Sequence, residues 1–164
     1  MTANVFDPSF DGDSDGPVYS FRRARLGRQA GAERLGASLY ELPPGEAPWP
    51  IHYHLANEEM LVVLRGRPSL RTLDAERQLA EGEVVACPVG EDGASQVVNR
   101  SGEAVRVLIV SEMVAPEIVR RPESGKLSAM EDAPGSREEG YQGAFFERDA
   151  VGFWDGEEPP PEST

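Results

Sequence analysis

Between residues 18 and 120 the apolar positions fall in short runs, each closed by glycine or proline, with no helical period. The pattern predicts strands at 18–25, 37–42, 51–55, 59–65, 69–73, 77–80, 83–87, 95–99, 105–111 and 117–120. Pro43-Pro44-Gly45, Gly66-Arg67-Pro68, Glu81-Gly82, Pro88-Val89-Gly90 and Ser101-Gly102 punctuate them. Strands of this length at close, regular spacing predict an all-β barrel or sandwich. The runs MLVVL (60–64) and VRVLIV (105–110) are apolar on both faces, as strands at the centre of a sheet covered on both sides would be.

Outside this body the pattern is lost. Residues 1–16 are rich in Asp, Gly, Ser and Pro and read as a disordered leader. Within them Asp11-x-Asp13-x-Asp15-Gly16 imitates the start of an EF-hand calcium loop. Its twelfth position is Arg22 in place of the bidentate glutamate, so a solvated acidic leader is the better reading. Residues 122–164 are rich in Pro, Gly and Glu yet hold Tyr141, Phe145, Phe146, Phe153 and Trp154, five of the chain's twelve aromatics. That density predicts docking of 141–154 on the barrel or on a partner subunit, with the final EEPPPEST mobile.

The net charge of −13 resides in these ends. Residues 1–16 carry −4 and 131–164 carry −8, leaving −1 for 17–130. Acidic ends repel phosphate backbones, and no basic stripe offsets them, so no nucleic-acid partner is expected. No apolar run approaches the ~18 residues of a membrane span, and the N-terminus lacks the features of a signal peptide. The single Cys87 can form no intrachain disulfide. A cytoplasmic protein with no membrane association is the expectation.

The chemistry concentrates in residues 45–66, GEAPWPIHYHLANEEMLVVLRG. In a strand, residues i and i+2 share a face, so His52 and His54 project together, about 7 Å apart at ~3.3 Å per residue. With Glu59 arriving from the next strand, two imidazoles and a carboxylate make a site for a divalent metal.

This segment resembles the first signature of the cupin superfamily: a glycine, His-x-His, a gap, Glu, six residues and a glycine. The distance from Gly45 to His52 is one residue longer than the usual pattern. The distance from Glu59 to Gly66 fits, and selects Glu59 over Glu58. Gly82, Pro88, Gly90 and Asn99 resemble the second signature, with two extra residues after Gly90. Counting back from Asn99 places Ser95 where the family has its last metal-binding histidine.

The resemblance implies a double-stranded β-helix (a cupin or jelly-roll barrel) over residues 17–121, with irregular N- and C-terminal extensions at 1–16 and 122–164. It implies a divalent metal ion (Fe, Mn, Ni or Zn) on His52, His54 and Glu59, with Ser95 beside the metal as a group bonded to bound water. It leaves open a metal-dependent oxygenase, isomerase or lyase acting on a small oxygenated substrate, or a non-catalytic small-molecule binding or sensing protein with a degraded site. A homodimer is implied as well. Gln96 and Cys87 lack the spacing of substitute ligands, and Cys87 reads as a small buried residue at a strand end. Tyr40, Trp49, Arg71, Gln96 and Asn99 are candidates for the cavity wall, each more readily structural. Arg65, Arg67 and Arg71 read as surface partners of the many acids.

Overall fold

In the computed structural model, which describes residues 1–15, 18–134 and 140–159, Val107 lies between Tyr40 on one neighbouring strand and Val63 on the other. Around it runs a six-stranded antiparallel sheet. Its strands are β1 (Gly12–Asp15), β2 (Ser20–Ala24), β3 (Leu35–Leu42), β5 (Glu59–Arg65), β8 (Val84–Cys87) and β10 (Val105–Glu112), in the order β1-β2-β3-β10-β5-β8. A three-stranded sheet holds β6 (Ser69–Arg71), β7 (Glu76–Gln78) and β9 (Gln96–Val98), in the order β7-β6-β9. A four-stranded sheet holds β4 (Tyr53–His54), β11 (Glu117–Arg121), β12 (Lys126–Met130) and β13 (Gln142–Phe146), in the order β13-β12-β11-β4.

All ten strands expected from the pattern are present, and 59–65 has the bounds read from the sequence. The main core joins the six-stranded sheet to the three-stranded one through Leu42, Leu61, Val63, Val105 and Val107 against Leu70, Leu79 and Val97. A smaller cluster of Ala24, Leu26 and Leu39 covers the opposite face of the large sheet, with Leu64 and Leu108 packed against it. The two-sided apolarity of 60–64 and 105–110 is thereby explained: alternate residues serve two different cores.

Part of that second cover comes from a segment the sequence assigns to a disordered leader. Val5 and Phe10 pack on the Ala24–Leu26–Leu39 cluster. Asp11 pairs with Arg25 at 3.3 Å, and Gly12–Asp15 forms β1 against β2. The acidic repeat is therefore extended strand over residues 12–15, not a calcium loop; Gly16 lies outside the described residues. The short helix α1 (Leu26–Ala30) was equally illegible, because five residues are too few to show a period. It ends at Gly31 and buries Leu26.

The C-terminal extension is also more regular than its composition predicts. Lys126–Met130 and Gln142–Phe146 add two strands to β11, edge to edge. Docking stops there: Phe153 and Trp154 are 83% and 77% exposed and meet each other edge to face. The final residues 160–164 lie outside those described. Among the described residues no helix is long and apolar enough to cross a membrane.

Gly66, which closes the first signature, sits at φ 81°, and a Cβ there would press on Val105 Cγ1 at 2.8 Å. Only glycine lets the chain leave β5 so close to the central strand.

Candidate metal centre

The inward face of the large sheet is apolar along most of its length and turns polar at one end of three adjacent strands. On β3 the inward series runs Leu42, Tyr40, Ser38; on β5 it runs Val63, Leu61, Glu59; on β10 it runs Val107, Ile109, Ser111. Register aligns these changes, since Ser111 lies opposite Glu59 and Ile109 opposite Ser38. A cavity of about 180 Å³ opens where the apolar packing ends, lined by Arg23, Tyr40, Trp49, His52, His54 and Glu59 among others.

The two histidines reach this cavity from outside the large sheet, His54 from β4 and His52 from just before that strand. His52 forms an antiparallel bridge with Ser95, through backbone hydrogen bonds of 3.3 and 3.0 Å. His54 lies on β4 opposite Val119 of β11, and its carbonyl accepts the Gly90 N–H at 2.8 Å. One ligand atom from each of His52, His54 and Glu59 lies within 4.8 Å of the others. The sequence-predicted triad is thus brought together, and Glu58 faces away to solvent.

Hydrogen bonds decide which nitrogen each ring presents. His52 Nδ1 is 3.0 Å from the Pro50 carbonyl oxygen. A carbonyl can only accept, so Nδ1 carries the proton and Nε2 keeps its lone pair. His54 Nδ1 lies 3.2 Å from Glu117 Oε2, and its Nε2 lies 3.7 Å from Glu59 Oε2. Each ring therefore keeps Nε2 free of a backbone or Glu117 partner, and the ring centroids lie 5.2 Å apart. Burial, reinforced by the neighbouring His54, lowers the His52 pKa to about 4, so the ring is neutral near pH 7. Burial raises the Glu59 pKa, with Glu117 adding to it and His54 opposing it. Two imidazoles and a carboxylate form a donor set that suits a divalent transition metal.

Sequence reasoning missed Glu117. It is 1% exposed and accepts hydrogen bonds from the Leu55, Ala56 and Ile118 N–H groups at 3.1, 3.2 and 2.8 Å. Asn57 Nδ2 donates to its other oxygen, and Asn57 Oδ1 in turn accepts the Val114 N–H at 2.7 Å. Glu117 stands 63 residues from His54 on a different strand. The only local signal was a glutamate at an otherwise apolar position next to Ile118 and Val119.

Ser95, which the count back from Asn99 sets at the position of the family's last histidine, forms a backbone bridge with His52, and a single 3-10 turn, Glu91–Gly93, lies between Gly90 and it. Its hydroxyl is 3.4 Å from the Cys87 sulfur, and Cys87 pairs across the strands with Glu59. Burial raises the Cys87 pKa. Of the other candidates, Tyr40 and Trp49 line the cavity. Gln96 is committed to the Trp49 carbonyl and to Arg71, Arg71 pairs with Glu123, and Asn99 ties the Leu42 and Glu103 carbonyls together.

A family model for the cupin domain matches residues 38–111, which span the triad, Gly45 and Gly66 of the first motif, and Gly82 and Gly90 of the second. The chain carries a cupin domain. Its architecture is the all-β cupin barrel seen in solved relatives. It is similar to a sugar phosphate isomerase of the cupin superfamily from Silicibacter pomeroyi, with 20% identity, TM-score 0.77, and 94% of this chain and 98% of that one covered. A protein from Acidithiobacillus ferrooxidans, provisionally assigned as a sugar phosphate isomerase, has 20% identity and TM-score 0.75, with 88% of each chain covered. The polyketide cyclase RemF from Streptomyces resistomycificus has 22% identity and TM-score 0.54, covering 68% of this chain and 78% of that one. At these identities the likeness is one of fold. No sequence among curated proteins matches this chain.

Proposed function

We propose that this cupin binds a divalent metal ion (Fe, Mn, Ni or Zn) through His52, His54 and Glu59 and uses it to act on a small oxygenated molecule held in the adjoining cavity. The observation that carries this reading is the paired hydrogen bonding: Nδ1 of each ring is engaged by an oxygen acceptor, which leaves Nε2 of each ring free for a metal, in a group whose ligand atoms lie within 4.8 Å of one another. A bound metal would supply Lewis acidity or dioxygen chemistry to an oxygen ligand. Ser95, where the family has its last histidine, supports an open coordination position.

The chain's own residues supply the rest. Glu117 holds the His54 ring in its tautomer, and the Tyr40–Trp49–His52 edge-to-face stack fixes the cavity wall, with centroids 4.7 and 5.6 Å apart. An oxygenase, isomerase or lyase activity belongs to this reading. A cytoplasmic location belongs to it too, and so does a homodimer, the latter supported by the exposed apolar Leu55, Ile118, Tyr141 and Phe145.

Elemental analysis of protein purified without chelator or a nickel affinity column tests the proposal. Near-stoichiometric Fe, Mn, Ni or Zn, lost in His52→Ala, is the expected result. Metal-free protein that gains no thermal stability from any of these ions would overturn it, and would favour a non-catalytic small-molecule binding protein. Light scattering checks the dimer against the 17.8 kDa chain.

A further inference from the structure

The cavity beside the His–His–Glu group has an arginine on its wall that the metal reading does not use. Arg23 lies on β2 directly opposite Tyr40 of β3, so its side chain shares the inward face with the Tyr40 ring. It lines the same cavity as His52, His54 and Glu59.

Arg23 differs from several other arginines of the chain. Arg22 and Arg106 both pair with Glu41, Arg25 with Asp11, Arg71 with Glu123 and Arg100 with Glu76. Among the described residues no carboxylate pairs with Arg23, in a chain of 29 acidic and 16 basic residues. Its Nε is buried and has no hydrogen-bond partner. A buried guanidinium N–H without an acceptor is costly, and an oxygen anion entering the cavity would remove the deficit. The Tyr40 hydroxyl lies against the same guanidinium, and burial raises its pKa, which keeps it a phenol that can donate.

We propose that Arg23, with the Tyr40 hydroxyl, is an anion subsite, and that the molecule taken by this cavity is a small carboxylate or phosphate. A second oxygen of that molecule would reach towards His52, His54 and Glu59, so the inference rests on the metal reading for that contact. At about 180 Å³ the cavity is smaller than the 300 Å³ or more typical of drug-sized ligands, which confines the ligand to a few heavy atoms beyond its anionic group. Arg25 adds little field, because Asp11 neutralises it. Glu59 would repel the anion until a divalent cation binds it, so anion and cation should strengthen each other's binding.

Calorimetric titration of the full chain tests this, with glycolate and inorganic phosphate as anion probes and glycerol as the neutral control. Each is titrated into chelator-treated protein and into protein loaded with Mn²⁺. The expected result is that glycolate, phosphate or both bind, more tightly with Mn²⁺, and that Arg23→Met weakens the anion by tenfold or more. Arg23→Lys should restore part of that affinity. Mn²⁺ binding by Arg23→Met, read by dialysis without anion, should stay within about twofold of the parent, and its melting temperature should not fall. Whichever probe binds more tightly identifies the group as carboxylate or phosphate. Anion binding that is unchanged in Arg23→Met, or absent from the parent protein in both states, would overturn the subsite. Loss of Mn²⁺ binding with Arg23-dependent anion binding retained would overturn the metal reading alone.

Discussion

Glu117 Oε2 accepts the Nδ1 proton of His54 at 3.2 Å, and through that bond it sets which nitrogen of the ring faces Glu59. The carboxylate is wholly enclosed and shares its two oxygens among five donors. Such partners of a metal-binding imidazole fix both its tautomer and its orientation.

Glu117→Gln is therefore predicted to act on the metal without touching it. Three backbone N–H groups would hold the amide oxygen, and the amide nitrogen would then face the His54 Nδ1 proton. His54 relieves the clash of donors by moving its proton to Nε2, where it blocks the lone pair needed by a metal. Metal affinity should fall about 10- to 100-fold, measured by competition with a chromophoric chelator. Unchanged affinity would show that the His54 tautomer is held by something else.

Ser95→His should have the opposite effect. Position 95 forms a backbone bridge with His52, so an imidazole there would project beside the His52 ring. Loss of an indirect partner already moves affinity 10- to 100-fold, so adding a direct ligand is expected to tighten binding by at least about tenfold. The same chelator competition reads it, and a variant no tighter than the parent would place residue 95 off the metal's open side.

His52 gives a pH dependence of stability in the metal-free protein. Its pKa falls from 6.5 to about 4 on folding, so the unfolded chain binds the proton more readily. Its contribution is complete above pH 6.5 and is lost as pH falls from 6.5 towards 4, amounting to about 3 kcal/mol in all. Glu59, with a raised pKa, works against it, because protonation relieves the cost of burying that charge. Comparison with His52→Gln isolates the histidine: urea unfolding of the variant should lose less stability across this window than the parent does.

Gly93→Ala should disrupt the site from outside. A Cβ at this position would fall on the Pro88 carbonyl oxygen, a backbone atom that cannot step aside. The turn it belongs to joins Gly90, bonded to His54, to Ser95, bonded to His52. Destabilisation of about 2–3 kcal/mol or more is expected, with loss of metal binding at temperatures where the parent still binds. Chemical denaturation and metal titration at matched temperatures check the two effects.

Limited proteolysis should divide the C-terminal extension. Phe153 and Trp154 are exposed, whereas Gln142–Phe146 is hydrogen-bonded along its length to β12. An enzyme that cuts after aromatic residues should cleave at 153–154 before it cleaves at 145–146, as read by mass spectrometry. Equal rates would mean that β13 opens as easily as a free tail.

What the sequence by itself determined was the set of strands in the barrel and three residues with the donors a metal requires. Strand alternation and turn residues act over a few neighbours, so 59–65 could be bounded to the residue, and His52 and His54 could be placed on one face. Counting between glycines carried that reading as far as Ser95. The tertiary structure alone decided which rows of side chains meet. It brought Glu117 to His54 across 63 residues, turned both rings to present Nε2, and set Arg23 over the same cavity without a carboxylate of its own. It also gave the acidic leader and the C-terminal extension their strands, because an unpaired sheet edge can recruit a segment whose own composition predicts none. Periodicity describes one strand at a time, whereas burial, hydrogen-bond direction and tautomer arise only where strands from different sheets face each other.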